Sequence, residues 1–225
     1  MLLSKSKSNT KLNKNDKFGW KTYGLSLSPH NTSSHNVCPN SSQGCRDTCL
    51  YYQGRARIWN KINTARIRKT NYFFNSRKQF LAQLSKELER IQGNNVCVRL
   101  NVLSDIPWEN YIDLSNYNIQ FYDYTKSYKR MKKFLNHELP TNYHLTFSRS
   151  EHNEEECLKV LDEGGNVAIV FDTVPDFWNG YVVHNGDESD LRFLDKFGII
   201  GLKAKGSAKK DSTNFVYRIG ELNVV

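Results

Sequence analysis

Val96-Cys97-Val98-Arg99-Leu100-Asn101 runs into Ser104-Asp105-Ile106-Pro107-Trp108-Glu109. A short apolar run that ends in turn residues and charges reads as a buried strand followed by an exposed loop. The pattern recurs. Ile119 to Asp123 leads into Tyr124-Thr125-Lys126, Tyr143 to Phe147 into Ser148-Arg149-Ser150-Glu151, and Val167 to Phe171 into Asp172. Tyr181 to Val183 leads into His184-Asn185-Gly186-Asp187, and Ile199 to Leu202 into Lys203-Ala204-Lys205-Gly206. Helix-like segments lie between several of these runs, at Tyr128 to Asn136, Asn153 to Asp162 and Glu188 to Phe197. Strands that alternate with helices predict an α/β fold with a parallel sheet. With Tyr23 to Leu27 as a first strand and Phe215 to Ile219 as a closing or edge strand, the expected architecture is a partial or complete β/α barrel. An open doubly wound sheet is the alternative. The connections after Phe171 are short enough to leave room for an antiparallel pair.

Upstream of that series, Cys38, Cys45 and Cys49 fall within one loop, spaced C-x6-C-x3-C, at the carboxyl end of the first strand. Pro39, Gly44 and the small polar residues between them let the backbone fold back on itself. Thiolates are soft ligands that select zinc or iron-sulfur over magnesium or calcium. Three of them suit a four-iron, four-sulfur cluster with one iron left open, whereas a closed zinc site needs a fourth ligand. His35, at H-x2-C spacing from Cys38, would be that ligand. Cys97 and Cys157 have no partner at ligand spacing and read as packing residues.

At 225 residues and 38% hydrophobic content, the chain has enough apolar material for one core, which predicts a single domain over 18–225. Residues 1–17 are polar, lysine-rich and without periodicity, and are expected to be a mobile basic tail. No apolar run is long enough for a membrane span, and the start lacks a signal-peptide core, so no membrane partner and a cytoplasmic location are expected. A formal charge of +9, concentrated in the first third, favours an anionic partner, either a small molecule or a nucleic acid. Arg55, Arg57, Arg66, Arg68 and Lys69 are the candidates for phosphate contact. Phe80, Leu84, Leu88 and Ile91 recur at helical spacing beyond them, an amphipathic helix ending near Gly93.

In a β/α barrel the carboxyl ends of the strands form one mouth. The residues expected there as catalytic or substrate-contacting are Asp105, Glu109, Asp123, Lys126, Arg149 and Glu151, with Lys203 and Lys205 suited to a phosphate or carboxylate of a cofactor. Asn185-Gly186 is a tight-turn signal and predicts a hairpin there. No G-x4-G-K-[ST], G-x-G-x-x-G, H-E-x-x-H or G-x-S-x-G occurs, which removes the common nucleotide, zinc-protease and serine-hydrolase readings.

Thr22 to Pro29, Asn36 to Asn40 with Gly44-Cys45-Arg46, Ala65 to Thr70, Ser104 to Glu109, Gln120 to Lys126, Asn142 to Glu151 and Gly201 to Gly206 together resemble the phage gene product 88 family, over most of the chain from about Gly19 onward. That resemblance implies a phage origin and action in an infected host cell, and no specific activity. The cysteine loop after a first strand is also similar to radical S-adenosylmethionine enzymes. That second likeness implies a cluster whose open iron binds S-adenosylmethionine. The family's spacing is C-x3-C-x2-C with an aromatic before the last cysteine; here that position is Thr48, and no Gly-Gly-Glu motif follows the next strand. The expectation is an iron-sulfur enzyme acting on an anionic substrate such as a nucleotide or nucleic acid. The alternative is a non-catalytic nucleic-acid-binding protein with a structural zinc.

Overall fold

A computed structural model describes residues 1–6, 12–52 and 60–220. Nine strands form one mixed sheet: β1 (Leu3–Lys5), β2 (Lys21–Leu25), β3 (Val96–Arg99), β4 (Gln120–Thr125), β5 (Tyr143–Ser148), β6 (Val167–Phe171), β7 (Phe177–Trp178), β8 (Tyr181–Asn185) and β9 (Ile199–Lys203). Their spatial order is β1-β2-β3-β4-β5-β6-β9-β8-β7. The strands from β2 to β6, with β9 and β8, run parallel; β1 and β7 are antiparallel at the two edges.

The chain therefore winds in one direction from β2 to β6, as a barrel wall does, and not outward from a central switch point. The sheet is nonetheless open, so what is formed is a mostly parallel α/β sheet and not the expected barrel. β1 covers one end of the parallel array, and at the other end β9 inserts beside β6 with the β7–β8 hairpin outside it. Each edge is taken by an antiparallel strand instead of pairing with the opposite edge.

Five helices occur among the described residues: α1 (Gln43–Asp47), α2 (Asn60–Asn75), α3 (Arg77–Ile91), α4 (Tyr128–Leu135) and α5 (Glu154–Asp162). In α3 the buried residues are Phe80, Leu84 and Leu88, one apolar stripe at i, i+4 and i+8. Ser127 caps α4 by accepting from the Arg130 amide. Phe80, Leu84 and Leu88 share the main core with Val98, Phe121, Leu145, Phe147 and Ile169 of the strands. Alternate strand residues Cys97 and Tyr122 belong to a separate cluster with Leu191, Trp20 and Phe193. Both sheet faces are thus covered, which is why the central strands read as nearly continuous apolar runs.

Four expectations are corrected by particular contacts. Residues 1–17 are not a free tail where described: β1 pairs with β2, and a 3-10 helix over Leu12–Phe18 buries Leu12 and Asn15. Glu87 accepts hydrogen bonds from the amides of Leu2 and Leu3, so the chain start is tied to α3. Glu188 to Phe197 is a loop with one 3-10 turn at Arg192–Leu194, because Asp190, Leu191 and Arg192 all turn inward. Asp190 pairs with buried Arg99 at 2.9 Å. The expected closing strand at Phe215 to Ile219 is reduced to one bridge between Phe171 and Tyr217. The hairpin also falls elsewhere: Asn179 and Gly180 both take positive φ between β7 and β8, as a type I′ turn requires.

Candidate functional site

A cavity of about 270 Å³ opens where β3, β4, β5, β6 and β9 end. Its wall includes Cys38, Cys45 and Cys49 together with Arg99, Asn101, Asp105, Lys126, Ser148, Lys203 and Lys205. Pro29, Val102, Leu103, Val170, Leu202 and Phe215 supply apolar surface between them.

The cysteine loop is held at several points. The Cys38 thiol donates to the Leu103 carbonyl at 3.4 Å, and the Asp105 amide donates to the Val37 carbonyl at 2.8 Å, so this arm is laced to the loop after β3. The second arm carries α1. Its start is clamped by Glu151, whose carboxylate accepts from Ser42 Oγ at 2.6 Å and from the Gly44 amide at 2.7 Å. Those bonds to the charged form hold the Glu151 carboxyl below its usual range despite the desolvation that opposes them. Arg149 donates to the carbonyls of Asn214 and Phe215 and pins that segment against the loop. A Cβ at Gly44 would stand 2.3 Å from the Phe215 Cβ, which is why this helical position has no side chain. Glu151 and Arg149, both expected at the mouth, brace the loop that presents the sulfurs.

Burial pushes the Cys38 thiol up to about 12 and raises the Cys49 thiol as well, and both feel Cys45 as a further raising charge. The Lys126 ammonium lies close enough to Cys49 to oppose that rise. Thiols raised by burial are poor free nucleophiles, so a bound cation would be needed to favour their thiolates. Among the described residues, no set of three or more histidine, cysteine or carboxylate side chains is disposed around a single ion site. His35 does not line the cavity; its ring stacks on Phe74 with centroids 4.2 Å apart. Cys97, bonded to Thr22 Oγ1 at 3.2 Å, and Cys157, buried in α5, lie elsewhere as packing residues.

The remaining candidates divide. Asp105 lines the cavity but is engaged, accepting from the Lys126 amide at 2.9 Å and from Arg130 at 3.1 Å. Glu109 pairs with the same Arg130 at 2.7 Å, outside the cavity wall. Asp123 is fully buried, accepting from the Asn101 amide at 2.7 Å, Asn101 Nδ2 at 3.0 Å and Tyr143 OH at 2.8 Å. Burial is the chief cause that pushes its carboxyl up to about 7. It orients Asn101, whose Oδ1 in turn accepts from Ser104, the Ile106 amide and Trp108 Nε1. The Ser104 to Glu109 motif is thus a packed corner, of which Ser104 and Asp105 reach the cavity wall. Lys126 and Lys203 face the cavity, while Lys205 is bonded to Asp187.

Of the basic candidates in α2, Arg66 lies over the Tyr51 ring and bonds Asn63, Lys69 donates to the Leu2 carbonyl, and Arg68 is exposed. Arg55 and Arg57 lie outside the described residues. Sequence reading missed Ser148, Tyr124 and Phe215 as wall residues. Ser148 and Tyr124 stand within quoted strand ends; nothing local marks Phe215.

No helix among the described residues is long and apolar enough to cross a membrane. A family model described as Gene product 88 matches residues 1–219. No curated protein and no solved structure matches the chain, and nothing in these comparisons supports the likeness to radical S-adenosylmethionine enzymes.

Proposed function

The chain belongs to the Gene product 88 family, and from that premise we propose that it is an iron-sulfur enzyme of the infected host cytoplasm. Cys38, Cys45 and Cys49 would hold a 4Fe-4S cluster, and the substrate would be an anionic molecule such as a nucleotide or nucleic acid. One observation carries the reading: all three cysteines of a single loop line the cavity at which five strands end. The donor set is all sulfur, which suits a cluster, whereas His35, the fourth ligand a zinc site would need, does not line the cavity and stacks on Phe74.

Such a cluster supplies one-electron chemistry, and with S-adenosylmethionine as cosubstrate it would supply hydrogen abstraction from the substrate. The protein's own part is positional. Glu151 and the Arg149-held Phe215 segment fix the loop, the apolar wall limits water, and Lys126 and Lys203 would orient the anion. Asp105 holds the backbone at Lys126 and so sets where that ammonium stands.

The test is the iron and acid-labile sulfide content of protein purified without oxygen. About four of each per chain is expected. Serine at position 38, 45 or 49 should remove both, whereas serine at 97 or 157 should leave them. About one zinc without sulfide, lost on His35→Ala, would sink the cluster and favour the zinc-stabilised nucleic-acid-binding alternative.

A further inference from the structure

We propose that the cavity beside the cysteines takes a small molecule with one oxyanion group, a phosphate or carboxylate, on a flat apolar body, and that Lys126 and Lys203 grip the anion. The inference rests on the reading that this cavity is the substrate site, and narrows that substrate from anions in general to compact, partly apolar ones.

The charges on the wall decide the first half. Two carboxylates reach the cavity, and both are already engaged: Asp105 by Arg130 and the Lys126 amide, Asp187 by Lys205 and the Lys203 amide. Arg99 is held by Asp190. The two remaining ammonium groups are different. Lys126 Nζ donates to Ser148 Oγ at 2.8 Å, a neutral hydroxyl, and Lys203 Nζ has no partner among the described residues. Half-buried Lys126 and exposed Lys203 enter the same cavity from the ends of β4 and β9, with Ser148 Oγ beside Lys126, so an oxyanion entering it finds two cations on the wall. A charge-assisted bond of this kind is stronger than one to a neutral partner.

The rest of the wall decides the second half. Phe215, with its ring centroid 5.5 Å from Lys126 Nζ, stands with Val170, Leu202 and Leu103 around the same space. Next to the cations, a ligand would find apolar surface to cover. The volume is near the lower end of small-molecule sites, which limits the body to roughly one or two rings. A polymer would also need a basic track leading out. Two of the described cations of α2, Arg66 and Lys69, are bonded to the protein itself.

The experiment is calorimetric titration of the full chain with phenyl phosphate, phenylacetate, inorganic phosphate, phenol and a single-stranded oligonucleotide, with iron and sulfide measured on the same sample. Phenyl phosphate or phenylacetate should bind at least about tenfold more tightly than inorganic phosphate or phenol, because only they use both halves of the wall. Which of the two is preferred identifies the oxyanion. Lys203→Ala, at an exposed position, and Lys126→Met, which removes the ammonium and keeps a long apolar side chain, should each weaken that binding about tenfold. Equal affinity for phenyl phosphate and inorganic phosphate, unchanged affinity in both variants, or preference for the oligonucleotide would overturn the inference. Anion binding without iron would overturn the cluster alone; a full cluster without anion binding would overturn the inference alone.

Discussion

Glu151 shows how a residue's role follows from what it touches. Its charge stands at a strand end beside the cavity, yet its side chain is 3% exposed and both oxygens are spent on Ser42 and Gly44. Glu151→Gln keeps the shape and loses one acceptor. Since hydrogen bonds to charged groups are worth about 1.5 to 3 kcal/mol, urea denaturation should show a loss of roughly that size. Gly44 is the other half of the clamp. In Gly44→Ala the added Cβ would stand 2.1 Å from Thr213 Oγ1, so the loop or the Phe215 segment must move. Overpacking of this kind costs about 1 to 3 kcal/mol, and Cys45 should react faster with a thiol reagent than in the parent protein. Neither role is visible in the sequence, because the partners of Glu151 are 109 and 107 residues away.

Among elements, the two Asn-Gly pairs make the clearest contrast. Asn179-Gly180 has positive φ at both residues and turns the chain between β7 and β8. Asn185-Gly186 instead ends β8, and Gly186 has no positive φ; its Cα faces Ile200, where a Cβ would come within 2.5 Å of Cγ2. Alanine should therefore destabilise both sites for different reasons. Gly180→Ala would cost about 1 kcal/mol through backbone strain alone, with nothing within 4 Å to clash. Gly186→Ala would cost more through crowding, and Ile200→Ala should relieve part of that cost, a coupling readable in thermal melts of the double variant. The sequence reading placed the hairpin at Asn185-Gly186; strand pairing decided that Asn179-Gly180 reverses the chain. Glu188 to Phe197 differs for a related reason. Its helical spacing is real, but satisfying Arg99 with Asp190 and burying Leu191 hold it in an irregular path.

For the whole molecule, the interior beneath the cavity is partly ionic, and its stability depends on keeping that network paired. Asp190→Asn would leave Arg99 buried and unpaired, and removing one partner of a buried pair costs about 3 to 5 kcal/mol. Burial and the neighbouring Arg192 push the His144 imidazole down to about 4. The unfolded chain binds this proton near 6.5 while the folded chain does not, so the contribution is full above 6.5 and is lost as pH falls toward 4. The melting temperature should drop across that window by an amount corresponding to at most about 3 kcal/mol, and His144→Gln should flatten the drop.

The sequence by itself determined the α/β class, the parallel central strands and the amphipathic α3, since each depends on local periodicity of apolar residues. It also determined the grouping of three cysteines in one loop, because spacing along a chain limits spacing in space. Only the tertiary structure decided that the sheet stays open and that Leu3–Lys5 forms one of its edges. It likewise decided that Glu151, Arg149 and Asp123 support the site from behind, while Lys126 and Lys203 face it. Those outcomes are settled by long-range pairing: which carboxylate finds which donor is a competition among distant groups in a shared low-dielectric interior, and no local pattern records who wins it.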